Sequence, residues 1–167
     1  MKYDDVYSKL ATFGKELLGK KSLEDGLPLI SKYVKDVIGA DRCSIFIYDT
    51  EDNFLWTTVS DGVGKIVVDV NMGLIGETLS VRKPIVENNP YSNPHFLPDV
   101  DKDTGYKTKN IITAPIFNSK REIIGILELL NKKTDFDNKD VKFMIFFAHY
   151  VSGFLELTNM YLKNDSK

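Results

Sequence analysis

Reactive side chains at fixed spacing are scarce in this chain. The two histidines, His95 and His149, fall in different segments, and neither has Cys, His, Asp or Glu neighbours at metal-ligand spacing. The one cysteine, Cys43, sits in CSIFIYD among apolar residues that favour a buried thiol over a nucleophile. DGVGKI (61–66) has glycines and a lysine but lacks the GxxxxGK[ST] spacing that cradles phosphates, and reads as a turn. No Gly-x-Ser-x-Gly elbow occurs. The chain is expected to be neither an enzyme nor a metal protein.

What remains is binding chemistry, concentrated at 89–110, NPYSNPHFLPDVDKDTGYKTKN. A connection this long exceeds the ~12–15 residues at which structureless loops become uncommon in compact domains. It carries Asp101, Asp103, Thr104, Tyr106 and Thr108, with Phe96 and Leu97 as apolar anchors. Thr104 and Thr108 are four apart, so a helical turn would stack their hydroxyls on one side. Upstream, GLIGETLSVRK (73–83) reads as a helix whose free amides near Leu74 and Ile75 suit an anion. Asp61, Asp101 and Glu128 could accept donors from a base. A pocket between helix start, insert and sheet, with the insert as lid, would take a small molecule. The alternative is an ordered surface loop pinned by Phe96 and its prolines, without a ligand.

The elements that must position these residues follow from periodicity. Apolar residues at Tyr3, Val6, Tyr7, Leu10, Phe13, Leu17 and Leu18 predict a helix over 3–18. Ser22 caps a second helix with a stripe of Leu27, Ile30, Val34, Val37 and Ile38, ending at Gly39. Pro28 suggests that its regular turns begin only near that residue. CSIFIYD (43–49) and FLWTTVS (54–60), joined by 50–53, form a hairpin, and KIVVDV (65–70) is a third strand. In the 73–83 helix, Leu74, Ile75, Leu79 and Val81 are expected to be partly buried. PIVE (84–87) is a short strand, and 110–117 with 122–131 form a second hairpin. Residues 138 to about 163 read as one long helix with two apolar stripes. Val141, Ile145, Ala148, Ser152 and Leu155 form one; Phe143, Phe147, Tyr150, Phe154, Leu157 and Tyr161 form the other. One stripe covers the sheet; the second calls for a second copy of the chain or for helix 3–18. The order implies an α+β domain with a central antiparallel sheet.

Size and composition agree with one globular domain: 167 residues, 43% hydrophobic and 28% charged. A net charge of −2 leaves no basic excess for nucleic acid. The longest apolar run, FMIFFA (143–148), is far short of a membrane span, and MKYDDVYSKL lacks a signal-peptide core. One cysteine excludes an internal disulfide and fits a reducing compartment, so a cytoplasmic location is expected.

GLIGETL (73–79), the run from Pro84 to Lys133, and Phe136 with Asp140 together resemble GAF domains. More narrowly, they resemble those that regulate cyclic nucleotide phosphodiesterases and some bacterial adenylyl cyclases. The likeness covers about 22–163, with 1–21 as an N-terminal helix segment and 164–167 as a tail. Asn131, Lys132, Phe136 and Asp140 match the family's Asn-Lys…Phe…Asp-Glu signature, while Val141 replaces its glutamate. The resemblance implies a PAS-related fold, with terminal helices on one sheet face and a lid over the other. It implies a Lys132–Asp140 salt bridge that supports the lid. It also implies ligand contacts from Ser44, Asp61, Leu74, Ile75, Asp101, Thr104, Thr108 and Glu128. Ser60 and Leu97 stand where aromatic residues often do, removing stacking surface worth ~1 kcal/mol each. No axial histidine or surface chromophore cysteine matches the haem and bilin branches. The implied function is a regulatory sensor, with cyclic AMP or cyclic GMP as ligand. It would act as a homodimer and signal along the last helix to an output domain in cis or in trans. A ligand-free dimerisation and docking module is the other reading.

Overall fold

The computed structural model describes residues 3–60 and 66–165. Helices α1 (Tyr3–Leu18) and α2 (Leu23–Ile38) lead into strands β1 (Ala40–Asp49), β2 (Phe54–Ser60) and β3 (Val67–Asp69). Next come α3 (Gly73–Val81), β4 (Ile85–Glu87), a 3-10 turn at Pro90–Ser92 and α4 (Asp99–Thr104). The chain finishes with β5 (Ile111–Phe117), β6 (Ile123–Lys132) and α5 (Asn138–Asp165). The strands form one antiparallel sheet in the order β3-β2-β1-β6-β5-β4, the α+β architecture expected from the sequence.

Alternation along the central strands divides the sheet into two faces. On one face Cys43 and Ile45, Ile112 and Ala114, and Leu127 and Leu129 pack against Ile30 and Val34 of α2 and Met144, Phe147 and Val151 of α5. On the other, Phe46, Leu55 and Ile126 meet Ile75 of α3 in a smaller cluster ringed by Tyr48, Ile66, Val68, Val70 and Leu79. That second face is left for the site.

Three sequence expectations need correction. Helix α2 begins at Leu23, capped by Ser22, whose hydroxyl accepts from the Asp25 amide, and not near Pro28. The proline lies within the helix on its exposed side, where water can take the carbonyl it leaves unbonded. Val81 is 47% exposed, because α3 ends there and Arg82 turns left-handed (φ 58°). The expected first stripe of α5 is broken at Ile145, 42% exposed; the buried row instead runs through Asp140, Met144, Ala148, Val151, Ser152 and Leu155.

The second stripe is partly covered within the chain. The Phe13 ring of α1 lies 5.5 Å from Phe147 and 5.1 Å from Tyr150. Phe154 packs over Gly26 of α2, where a Cβ would meet its ring at 2.0 Å. Leu157 and Leu18 stay exposed, while the Tyr161 side chain lies outside the description. No helix among the described residues is long and apolar enough to cross a membrane.

The β1–β6 pair depends on Gly125, opposite Ile47, because a Cβ there would meet the Phe46 carbonyl oxygen at 2.3 Å. Strand propensity alone would favour alanine by ~0.5–1 kcal/mol. Gly125→Ala should instead lower the unfolding free energy by ~2–4 kcal/mol. Urea denaturation checks this; equal or greater stability would mean that the strands are not packed so closely.

Candidate functional site

A cavity of about 110 Å³ lies on the second sheet face, between the sheet, the start of α3 and the 89–110 segment. Alternation builds its floor: Arg42, Ser44 and Phe46 point into it from β1, while Cys43 and Ile45 enter the core. Glu128 and Leu130 join them from β6, with Ser44 and Glu128 directly paired. Ile66, Val68 and Met72 complete an apolar wall.

Two glycines place the first turn of α3 at this cavity. Gly73 is left-handed (φ 70°), and a Cβ there would lie 3.2 Å from Leu97 of the lid. At Gly76 a Cβ would come within 2.8 Å of the Val70 carbonyl oxygen, so only glycine lets the helix sit on that turn. No side chain caps the helix. A buried hydroxyl pair ties it to the sheet: Thr78 Oγ1 donates to the Leu74 carbonyl at 2.7 Å, which leaves Thr113 to donate to Thr78 at 2.6 Å.

The lid is folded. Asp101 is buried and accepts from the Thr108 amide (2.8 Å), the Thr108 hydroxyl (2.7 Å) and the Tyr91 hydroxyl (2.6 Å). That bond to Asp101, with burial behind it, raises the Tyr91 phenol above its ordinary pKa. Tyr91 in turn packs edge-on against Phe96. Helix α4 stops at Thr104 because Gly105 turns left-handed (φ 72°). The expected stacking of Thr104 and Thr108 on one helical turn therefore does not occur; Thr108 is buried and Thr104 exposed.

Both ends of the lid are tied to the same place. Asn88 holds Phe136 twice, accepting from its amide at 2.9 Å and donating to its carbonyl at 3.1 Å. At the other end Asn131, left-handed at φ 61°, accepts from the Lys109 amide (2.6 Å) and donates to the Lys107 carbonyl (2.8 Å). Asn110 accepts from the Lys132 amide and donates to the Lys132 and Thr134 carbonyls. Lys132 Nζ reaches both oxygens of Asp140 at 2.9 and 2.8 Å, and the Asp140 side chain is only 5% exposed. Asp137 caps α5 by accepting from the amides of Lys139 and Asp140, while its own amide donates back to Asp140. The Asp140 amide leads in holding the Asp137 carboxyl below the usual range.

Of the residues named from the sequence, Ser44, Leu74, Ile75, Leu97, Asp101, Thr104, Thr108 and Glu128 all line the cavity. Ser60 pairs with Ser44 across β1 and β2, its side chain lying outside the description; Asp61 lies outside the described residues. Arg42, Phe46, Met72 and Tyr106 also line it, although the sequence alone assigns none of them a place there. The period-two pattern of ADRCSIFIYD was the available signal, since it puts Arg42 and Phe46 on the face of Ser44.

Glu128 is half-buried only because it faces the cavity; protein encloses its carboxyl, and burial pushes its pKa up to about 7. With the folded value above the unfolded one, the native state keeps a proton that the unfolded chain releases from about pH 4.5 upward. Stability from this group is therefore lost as pH rises to about 7, by ~3 kcal/mol at most. Glu128→Gln, neutral throughout, should exceed the wild type by ~1–3 kcal/mol at pH 8 and match it near pH 4. Urea midpoints at both pH values check this; a pH-independent difference would contradict the buried acid.

Comparison with known proteins agrees with this geometry. Residues 22–154 match the GAF domain family. The chain is 32% identical over 115 residues to the dual 3',5'-cyclic-AMP and -GMP phosphodiesterase 11A of Takifugu rubripes, spanning 61% of this chain and 13% of that protein. The fold is similar to the GAF domain of a phosphoenolpyruvate-protein phosphotransferase from Coxiella burnetii. The TM-score is 0.83 at 19% identity, covering 93% of this chain and 95% of that one. It is also similar to the free methionine-R-sulfoxide reductase of Neisseria meningitidis, with a TM-score of 0.80 at 15% identity, covering 93% and 91%. With its signature residues gathered at the lid and the family match running through most of its length, the chain belongs to the GAF domains, a family of regulatory sensor modules.

Proposed function

We propose that this chain is the sensing domain of a signalling protein and that its cavity binds a small anionic ligand, a cyclic purine nucleotide foremost. The observation that carries this reading is the cavity itself, closed by a lid bonded at both ends to the β6–α5 junction. The uncapped first turn of α3 offers amides for a phosphate, and Glu128 offers an acceptor for donor groups on a base. The Takifugu relative, named for both cyclic nucleotides, supports that choice of ligand.

At about 110 Å³ the cavity is smaller than the ~300 Å³ usual for drug-sized ligands, so a nucleotide would enter by displacing the lid. Ligand binding would then shift the balance between open and closed lids. Because Asn110 at the lid's end bonds Lys132, and Lys132 pairs with Asp140 at the start of α5, the shift would be passed along α5 to an output partner. A homodimer along α1 and α5, using the exposed Leu18 and Leu157, is the expected assembly. The small cavity favours one other reading, a ligand-free dimerisation module.

Calorimetry with cyclic AMP and cyclic GMP, with light scattering on the same sample, separates the two. The sensor reading expects saturable heat with at least one nucleotide. It also expects ~5–10-fold weaker binding in Thr108→Val, which loses one lid bond worth ~1 kcal/mol. No heat with either nucleotide from a folded dimer would dismiss the cyclic nucleotides and leave the ligand-free module or a different small anion.

A further inference from the structure

Among the described residues, the cavity lining includes a cation to which the nucleotide reading gives no work. Arg42 lines it from β1, and its guanidinium carbon lies 3.5 Å from the centre of the Tyr106 ring. Tyr106 also lines the cavity and is fixed in turn, its hydroxyl donating to Asp41 at 2.7 Å. Burial first, then that bond, raises the Tyr106 phenol above its ordinary pKa, so the ring under Arg42 stays neutral. Stacking engages the flat face of a guanidinium and leaves the N–H donors at its edge unused. Among the described residues, the Arg42 guanidinium has no hydrogen-bond or ion-pair partner; the Tyr106 ring is its contact.

Among the described residues, the two acids that line the cavity do not answer this charge. Asp101 already accepts three hydrogen bonds from Thr108 and Tyr91. Glu128 sits two residues further along the sheet: Arg42 pairs with Leu130, and Ser44 with Glu128. That register makes the two positions diagonal neighbours on adjacent strands, with backbones ~7–8 Å apart.

We propose that Arg42, held by Tyr106, is the residue that takes the anionic group of the cavity's ligand, with Glu128, from the neighbouring strand of the same cavity, taking a hydrogen-bond donor. The ligand is thus two-ended, a phosphoryl or carboxyl group at one end and an amine-like or amide-like donor at the other. This rests on the reading of the cavity as a ligand site, and a nucleotide satisfies it. The rival is the first turn of α3 acting alone on the anion.

Thermal unfolding of the full chain in millimolar inorganic phosphate, and in acetate, against chloride at equal ionic strength tests it without knowing the ligand. Wild type should gain about 2–4 °C with at least one anion at saturation, and which one tells a phosphoryl from a carboxyl preference. Arg42→Gln should lose the gain, and Arg42→Lys, which keeps charge but not the fork, should lose most of it. Tyr106→Phe should retain it and Tyr106→Leu reduce it, while Lys109→Gln on the lid's outer face should leave it unchanged. No gain in wild type, or a full gain in either Arg42 variant, would overturn the proposal, the latter in favour of α3. A phosphate gain that depends on Arg42, with no heat from cyclic AMP or cyclic GMP, would uphold Arg42 and remove only the nucleotide.

Discussion

The ion pair of Lys132 with Asp140 is the contact on which the rest of this domain depends. It lies where β6, the start of α5 and both ends of the 89–110 segment converge, and the aspartate is almost fully buried. Removing Lys132 would leave the buried Asp140 charge with only the Asp137 amide among the described residues, a loss on the order of 3 kcal/mol. Asp140 is also the residue that completes the cap of α5. The start of the last helix and the anchorage of the lid are thus one piece of structure.

Around that junction, three asparagines do the work of backbone. Asn88 and Asn131 each present a donor and an acceptor to main chain outside any strand or helix, and Asn110 does so to Lys132 at the end of β6 and to Thr134 just beyond it. Closing a long segment carries an entropic cost that grows only slowly with its length, so pinning its ends is the effective way to hold it. Its middle is then ordered by Asp101, which gathers Tyr91 and Thr108 from its two sides. The sheet supplies the other half of the cavity through simple alternation. Each strand that buries Cys43, Ile45, Leu127 or Leu129 against the helices must turn Ser44, Phe46, Glu128 or Leu130 the other way.

Much of this was legible in the sequence. The elements follow the change from a period near 3.6 to a period of 2, and the α+β class follows from their order. The cavity residues proved hardest where a contact joins distant segments. Arg42 reads as an ordinary surface charge until Tyr106, in another part of the chain, is folded onto it. The spacing of Thr104 and Thr108 misled because Gly105, one residue past Thr104, ends the helix between them. On α5, heptad-like spacing drew the stripe through Ile145, whereas the true row is set by how α2 and the sheet flank the helix. Pro28 is tolerated because it faces outward, which no pattern in the neighbouring residues announces.

The central claim is that residues 89–110 form an ordered cover anchored at the β6–α5 junction, and amide hydrogen exchange on the unliganded chain tests it most directly. The account predicts that the amides of Thr108, Lys109 and Asn110 exchange far more slowly than exposed ones, and that Asp140→Asn speeds them while leaving the β1–β6 amides slow. Exchange of 89–110 at the rate of an unstructured peptide in the wild type would contradict it.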